Sequence, residues 1–240
     1  MTFKLGLAQT IDQIDEAAQR GVDLLVFPEN FMPSPELAES LDGPFVQHVR
    51  KEARTHSMWI AFTTFETNPH GQPFNTAVLV DEAGTIQGTY RKCHLYDAHG
   101  VFESERNAAG HALCKPIPTP FCTLGMAICY DLRFPEVARH LALAGCNVLI
   151  FPAAWHDGPR KLAHWRTLLT ARAIENECIV VGACNADERY VQKSFVFGPL
   201  GDELASGQSD ELIVCDIDLA TVDAARDAMP VFSHRRQDLY

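Results

Sequence analysis

Three observations predict an α/β layered fold with mixed sheets. Short apolar, β-branched runs alternate with helix-like segments along the chain. Two of those runs, residues 24–27 and 148–151, are apolar without interruption, as in strands buried on both faces. A third feature, a pair of runs joined by a glycine-bearing turn, adds hairpins to the crossovers.

In chain order, residues 5–8 read as the first strand and 12–20 as a helix stopped by Gly21. The strand at 24–27 ends at Pro28. Residues 43–57 look helical and 59–65 form the next strand. Residues 77–80 and 85–90 flank Asp81-Glu82-Ala83-Gly84 as a hairpin. A strand at 123–129 runs up to Cys129, and a helix at 135–144 carries Pro135 in its first turn. After the buried strand at 148–151, residues 161–176 make the longest helix and 179–184 another strand. Residues 194–197 and 212–216 end the strand series, with Gly198-Pro199-Leu200-Gly201-Asp202 as a turn. No linker, repeat or low-complexity stretch divides the chain, so residues 1–240 read as a single domain.

A chain of 240 residues, 47% of them hydrophobic, can bury a sizeable core. Its formal net charge of −11 repels phosphate backbones, so no nucleic-acid partner is expected. The apolar run at the start is too short for a signal peptide. Nothing approaches the roughly 20 apolar residues of a membrane helix. A soluble, cytoplasmic protein without a membrane partner is the expectation. The eight cysteines include no Cys-x-x-Cys pair and read as free thiols, most of them buried.

Several chemistries lack their signature. There is no Gly-x-Gly-x-x-Gly after the first strand, no phosphate loop, no Gly-x-Ser-x-Gly elbow and no Cys/His cluster with zinc spacing. Neither a cofactor nor a metal is indicated. Reactive side chains stand instead at three strand ends, where α/β proteins build their sites. They are Glu29 after 24–27, Lys92 after 85–90, and Cys129 at a turn from strand to helix. Singly, each has an ordinary reading: a solvated cap, a surface charge, a packed thiol. Together they supply acyl transfer from an amide. A thiol needs a base or a positive neighbour, a carboxylate can take its proton, and an ammonium can stabilise the oxyanion.

At these residues the chain resembles the nitrilase superfamily of carbon–nitrogen hydrolases. The resemblance rests on Leu25-Val26-Phe27-Pro28-Glu29, Tyr90-Arg91-Lys92-Cys93-His94, and Gly125-Met126-Ala127-Ile128-Cys129-Tyr130-Asp131-Leu132-Arg133-Phe134-Pro135-Glu136. It extends to 165–176 and to a tail at 235–240, where Gln237 stands in place of the usual proline. The resemblance implies a four-layer α-β-β-α sandwich with two mixed sheets, and a homodimer. It implies Glu29 as general base, Lys92 as oxyanion stabiliser and Cys129 as nucleophile, with the N–H of Tyr130 as a second oxyanion donor. Glu103 matches the family's second glutamate; a solvated loop Glu is the competing reading. Arg133 either pairs with Glu136 or grips a substrate carboxylate. Trp155 either lines the pocket or packs in the core. Only seventeen residues separate Gln9 from Phe27, fewer than is usual, which implies a short first helix.

The elbow sequence looks most like the ω-amidase branch and its deaminated-glutathione relatives, so the expected partner is a small-molecule amide carrying a carboxylate. Alternatives are a nitrile or N-carbamoyl amine on the same device, a non-catalytic binding protein on this fold, and a nucleotide-binding α/β protein, which lacks any phosphate loop.

Overall fold

In the computed structural model, which describes residues 1–208 and 210–239, two six-stranded sheets face each other across a core, with helices on both outer sides. The first half contributes β1 (Thr2–Leu7), α1 (Gln13–Gln19), β2 (Leu24–Val26), α2 (Pro44–His56), β3 (Trp59–Glu66), β4 (Phe74–Val80) and β5 (Ile86–Arg91). A small hairpin, β6 (Asp97–Ala98) and β7 (Val101–Phe102), bridges the halves. The second half contributes β8 (Ile117–Pro118), β9 (Thr123–Met126), α3 (Pro135–Leu143), β10 (Val148–Ala153), α4 (Lys161–Asn176), β11 (Ile179–Cys184), β12 (Lys193–Phe197) and β13 (Glu203–Gln208). Then β14 (Ile213–Asp218) returns to the first sheet, followed by α5 (Ala220–Ala228) and the short α6 (Val231–His234).

The sheet orders are β14-β1-β2-β3-β4-β5 and β13-β12-β11-β10-β9-β8. Each has three parallel strands at its centre, β1–β2–β3 and β9–β10–β11, with antiparallel strands towards the edges. The period of two sorts the apolar side chains between layers. Leu24, Val26, Trp59, Ala61, Ala77 and Leu79 point into the core between the sheets. The intervening Leu25, Ile60, Phe62, Val78 and Val80 pack with Ile14, Ala17, Val46, Val49 and Ala53 of α1 and α2. On the other side α4 packs against β11 and α3. The architecture is the expected α-β-β-α sandwich. Helix α1 spans only seven residues and buries Ile14 and Ala17.

Some elements differ from the sequence expectation. The strand expected at 123–129 ends at Met126, and Cys129–Arg133 form a 3-10 turn. A strand β13 and a helix α5 follow where none was expected. Edge strand β13 carries mostly exposed residues, so no apolar run marks it. The tail motif is described only as far as Leu239, and its last residue, Tyr240, lies outside the described residues.

Candidate active site

Three strand ends of the two sheets converge on one cavity of about 590 Å³. Beyond β2, Phe27 continues the chain direction and Glu29 follows Pro28, its backbone carbonyl accepting from Asn185 Nδ2 at 3.0 Å. Lys92 sits one residue beyond β5, and its N–H donates to the Asn75 carbonyl at 2.9 Å. Cys129 opens the 3-10 turn after β9 with φ +45°, a left-handed conformation that costs a non-glycine residue strain.

That turn is held by the buried Asp131. Its Oδ2 accepts from the Ile128 N–H at 2.9 Å and the Tyr90 hydroxyl at 2.8 Å. Its Oδ1 accepts from the His94 N–H at 3.2 Å. From the outer layer, Arg172 of α4 donates two hydrogen bonds to the Leu132 carbonyl, at 3.1 and 2.8 Å. The strained backbone at Cys129 is thus fixed from both sides, which is what a precisely aimed side chain requires.

Glu29, Lys92 and Glu103 form one buried network beside Cys129. Lys92 Nζ donates to Glu29 Oε1 and to Glu103 Oε2, each at 2.8 Å. Asn75 Nδ2 also donates to Glu29 Oε1 at 2.8 Å, and the Ala154 N–H to Glu29 Oε2 at 2.7 Å. The Tyr96 N–H donates to Glu103 Oε2 at 2.7 Å. Lys92 and Glu29 are 2% and 3% exposed, so these charges lie in a low-dielectric setting where each depends on its partners.

Protonation states follow from that burial. Desolvation works against the Lys92 ammonium, but Glu103, Glu29 and Cys129 outweigh it and hold its pKa well above the ordinary lysine value. Desolvation likewise opposes the Glu103 carboxylate, yet the Lys92 charge and hydrogen bond bring its pKa below the usual value. Desolvation and then Glu29 push the Cys129 thiol well up, against the pull of Lys92. At rest the site therefore holds a neutral thiol beside a charged lysine.

The cavity takes in all seven residues singled out from the sequence: Glu29, Lys92, Glu103, Cys129, Tyr130, Arg133 and Trp155. Glu103 is engaged with Lys92 and is not a free loop carboxylate. Arg133 forms no ion pair with Glu136 among the described residues; its guanidinium lies over the Trp155 indole at 4.6 Å, a cation–π contact inside the cavity. Trp155 both lines the cavity and packs on Trp165. Sequence reasoning missed Asn75, which bridges towards both glutamates, and Asp131, Tyr90 and Arg172, which shape the turn. The signal for Asn75 was an amide inside an apolar strand; Asp131 stood in the elbow motif without a role attached. Among the described residues no cluster of three or more His, Cys, Asp or Glu could hold a metal ion. None of the described helices is long and apolar enough to cross a membrane.

An α-β-β-α sandwich with a buried thiol at a strained turn, flanked by an ammonium and two carboxylates at strand ends, describes a class of protein. Comparison with known sequences makes the assignment: the carbon-nitrogen hydrolase family model matches residues 1–227, and the chain belongs to that family. It is 34% identical to the nitrilase and fragile histidine triad fusion protein NitFhit of Caenorhabditis elegans, covering 95% of this chain but 57% of that one. The chain thus spans little more than half of the fusion protein. The NitFhit crystal structure superposes with a TM-score of 0.88 at 31% identity, over 100% of this chain and 66% of that one. The deaminated glutathione amidase of Escherichia coli O157:H7 is 34% identical over 92% of this chain and 87% of its own length. The omega-amidase NIT2 of Homo sapiens is 34% identical over 95% and 88%.

Proposed function

We propose that the protein is an amidase that hydrolyses the C–N bond of a small, carboxylate-bearing amide with Cys129 as nucleophile. One observation carries this reading: Cys129 sits at the strained turn beside a buried network in which Lys92 bridges Glu29 and Glu103. A resting thiol with a raised pKa cannot attack unaided, so its proton must leave as the sulfur adds. Glu29, whose carboxylate acts directly on the thiol and raises its pKa, takes it. The sulfur adds to the amide carbonyl carbon, and the oxyanion is met by the Lys92 ammonium and the Tyr130 N–H. Glu29 returns the proton to the departing nitrogen, ammonia or an amine leaves, and a thioester remains on Cys129. Glu29 then deprotonates a water, which releases the acid and restores the thiol. Glu103 keeps Lys92 charged and oriented throughout.

Arg133, partly exposed in the cavity and free of any carboxylate partner among the described residues, receives the substrate carboxylate. The ω-amidase and deaminated glutathione amidase relatives support an amide of this kind. The test is ammonia release from an amide panel led by 2-oxoglutaramate and succinamate, with Cys129→Ala as control. Turnover by the unaltered protein that vanishes in Cys129→Ala is expected. Equal ammonia release by the two proteins, or none from any amide, would overturn the reading.

A further inference from the structure

Lys92 enters the site from the end of β5, and its backbone is held from two directions. Its N–H donates to the Asn75 carbonyl of β4, and its carbonyl accepts from the Gly110 N–H at 2.8 Å. The second hold comes from a strap, residues 107–112, that lies outside the described helices and strands and makes one bridge, from Ala108 to Phe74.

The strap, Asn107-Ala108-Ala109-Gly110-His111-Ala112, carries little bulk at its centre, and its bonds run to the catalytic surroundings. The Asn107 N–H donates to the Glu103 carbonyl at 2.9 Å, and Asn107 Nδ2 to Glu103 Oε1 at 3.4 Å. The Ala108 N–H donates to the Pro73 carbonyl at 2.9 Å, two residues before Asn75. The Cys93 thiol donates to the Ala112 carbonyl at 3.3 Å. One strap therefore holds Lys92 by its main chain and Glu103 by both main chain and side chain.

Gly110 is what lets the strap come so close. A Cβ there would lie 2.2 Å from the Arg91 carbonyl oxygen and 2.9 Å from the carbonyl carbon, atoms of the peptide that joins Arg91 to Lys92. At Gly6 and Gly88 the nearest neighbours of an added Cβ are side-chain atoms of leucine, valine and isoleucine, which can turn aside. Main chain held by hydrogen bonds on both sides cannot. The strap and the peptide would have to part by about 1 Å to reach ordinary contact. Gly110 does not adopt a positive φ, so the requirement is one of space and not of dihedral freedom.

Small displacements matter at this lysine. Its Nζ stands 2.8 Å from both Glu29 and Glu103, and its charge opposes the rise that burial and Glu29 impose on the Cys129 thiol. Misplacing a positioned group by about 1 Å can cost about 100-fold in rate.

We infer that Gly110 is a positioning residue: it lets the strap close on the Lys92 backbone and so sets the ammonium between Glu29, Glu103 and Cys129. The inference rests on the amidase reading above and adds to it the element that aims the lysine.

The test compares Gly110→Ala with Gly71→Ala, whose added Cβ would meet nothing closer than Asn68 Nδ2 at 3.9 Å. Two quantities are read. One is ammonia release from succinamate, split into kcat and KM. The other is the rate at which iodoacetamide alkylates Cys129, resolved from the other thiols by mass spectrometry. Only the thiolate attacks, so alkylation reports how well the ammonium faces the sulfur. Gly110→Ala should lower kcat at least about tenfold with little change in KM, slow alkylation at fixed pH at least about fivefold, and move the alkylation pH profile upward. Gly71→Ala should match the unaltered protein throughout. Where Gly110→Ala does not fold, Asn107→Ala carries the test. It deletes the strap's bond to the Glu103 side chain together with an oxygen that is buried without a partner among the described residues. It should lower kcat and slow alkylation at least about threefold. A folded Gly110→Ala protein with unchanged kcat and alkylation would overturn the inference, as would a loss confined to melting temperature or to KM, or an Asn107→Ala protein unchanged in both readouts where it carries the test. Alkylation needs no substrate. Slowed alkylation with no ammonia from any amide would therefore sink the amidase reading and leave the placement of Lys92 standing.

Discussion

Around Cys129, each of the four side-chain oxygens of Glu29 and Glu103 accepts at least one hydrogen bond, and only Asn107 Oδ1 nearby is buried without a partner among the described residues. At the far end of α4 the situation is reversed. Among the described residues, Asn176 Oδ1 and Glu177 Oε2 are buried without a partner, and so is Nε of Arg226 on α5. Arg226 Nη2 donates to the Cys146 carbonyl and the Cys178 sulfur, and its guanidinium lies over the Phe232 ring. Both clusters bury charge, yet only the first opens onto the large cavity. Burial of charge alone therefore does not mark a site. Mutual satisfaction does, because a buried charge costs several kcal/mol unless partners compensate it, and those same partners fix its position.

The comparison is broken most directly at Lys92. Lys92→Met would leave Glu29 and Glu103 facing each other unpaired, with an expected loss of about 3–5 kcal/mol in chemical denaturation. The catalytic constant should fall at least about 100-fold. Arg226→Met removes a cation whose Nε has no partner among the described residues, and should cost less than about 2 kcal/mol. Equal losses in the two variants would mean that the hydrogen-bond pattern says nothing about how tightly each cluster is coupled. A smaller effect is expected at Asn75. Asn75→Ala removes the amide that donates to Glu29 and reaches Glu103, with an expected cost of about 1–3 kcal/mol and a fall in catalytic constant rather than in KM. A change confined to KM would make Asn75 a substrate contact instead.

The two clusters also differ in how much could be read before folding. Glu29 and Cys129 were legible because each follows an apolar strand run, and Lys92 because it follows the second strand of a glycine-turn hairpin; strand ends are where loops present chemistry. Glu103 needed the family resemblance, since a loop glutamate beside Glu105 has no local signature. Asn75 was out of reach for a different reason: its partner Glu29 lies 46 residues away, and only the pairing of β3 between β2 and β4 brings the two together. The layered sheets were legible from apolar runs, whereas β13 was not, because an exposed edge strand has no buried face to show. The loose cluster at Glu177 left no trace in the sequence at all, as a polar residue at a helix end usually meets water.

The smallest expected effect separates the clusters by sign. An unfolded glutamate ionises near pH 4.3. Glu103 has a folded pKa below that value, despite desolvation, because of Lys92. Its stabilisation is complete above the unfolded pKa and is lost as pH falls through the folded one. Glu177 has a folded pKa raised by desolvation, against the opposing charges of Arg226 and Arg139. Its ionisation penalises folding as pH rises above the unfolded value, and the penalty is complete above the folded pKa. Stability measured from pH 3 to 7 should therefore lose part of its acid dependence in Glu103→Gln. In Glu177→Gln the gain should come at pH 7 and vanish at pH 3, amounting to less than about 1 kcal/mol because solvent and the two arginines already screen the charge. Parallel changes in the two variants would show that the clusters are electrostatically alike, and would leave the Lys92 network without its distinguishing property.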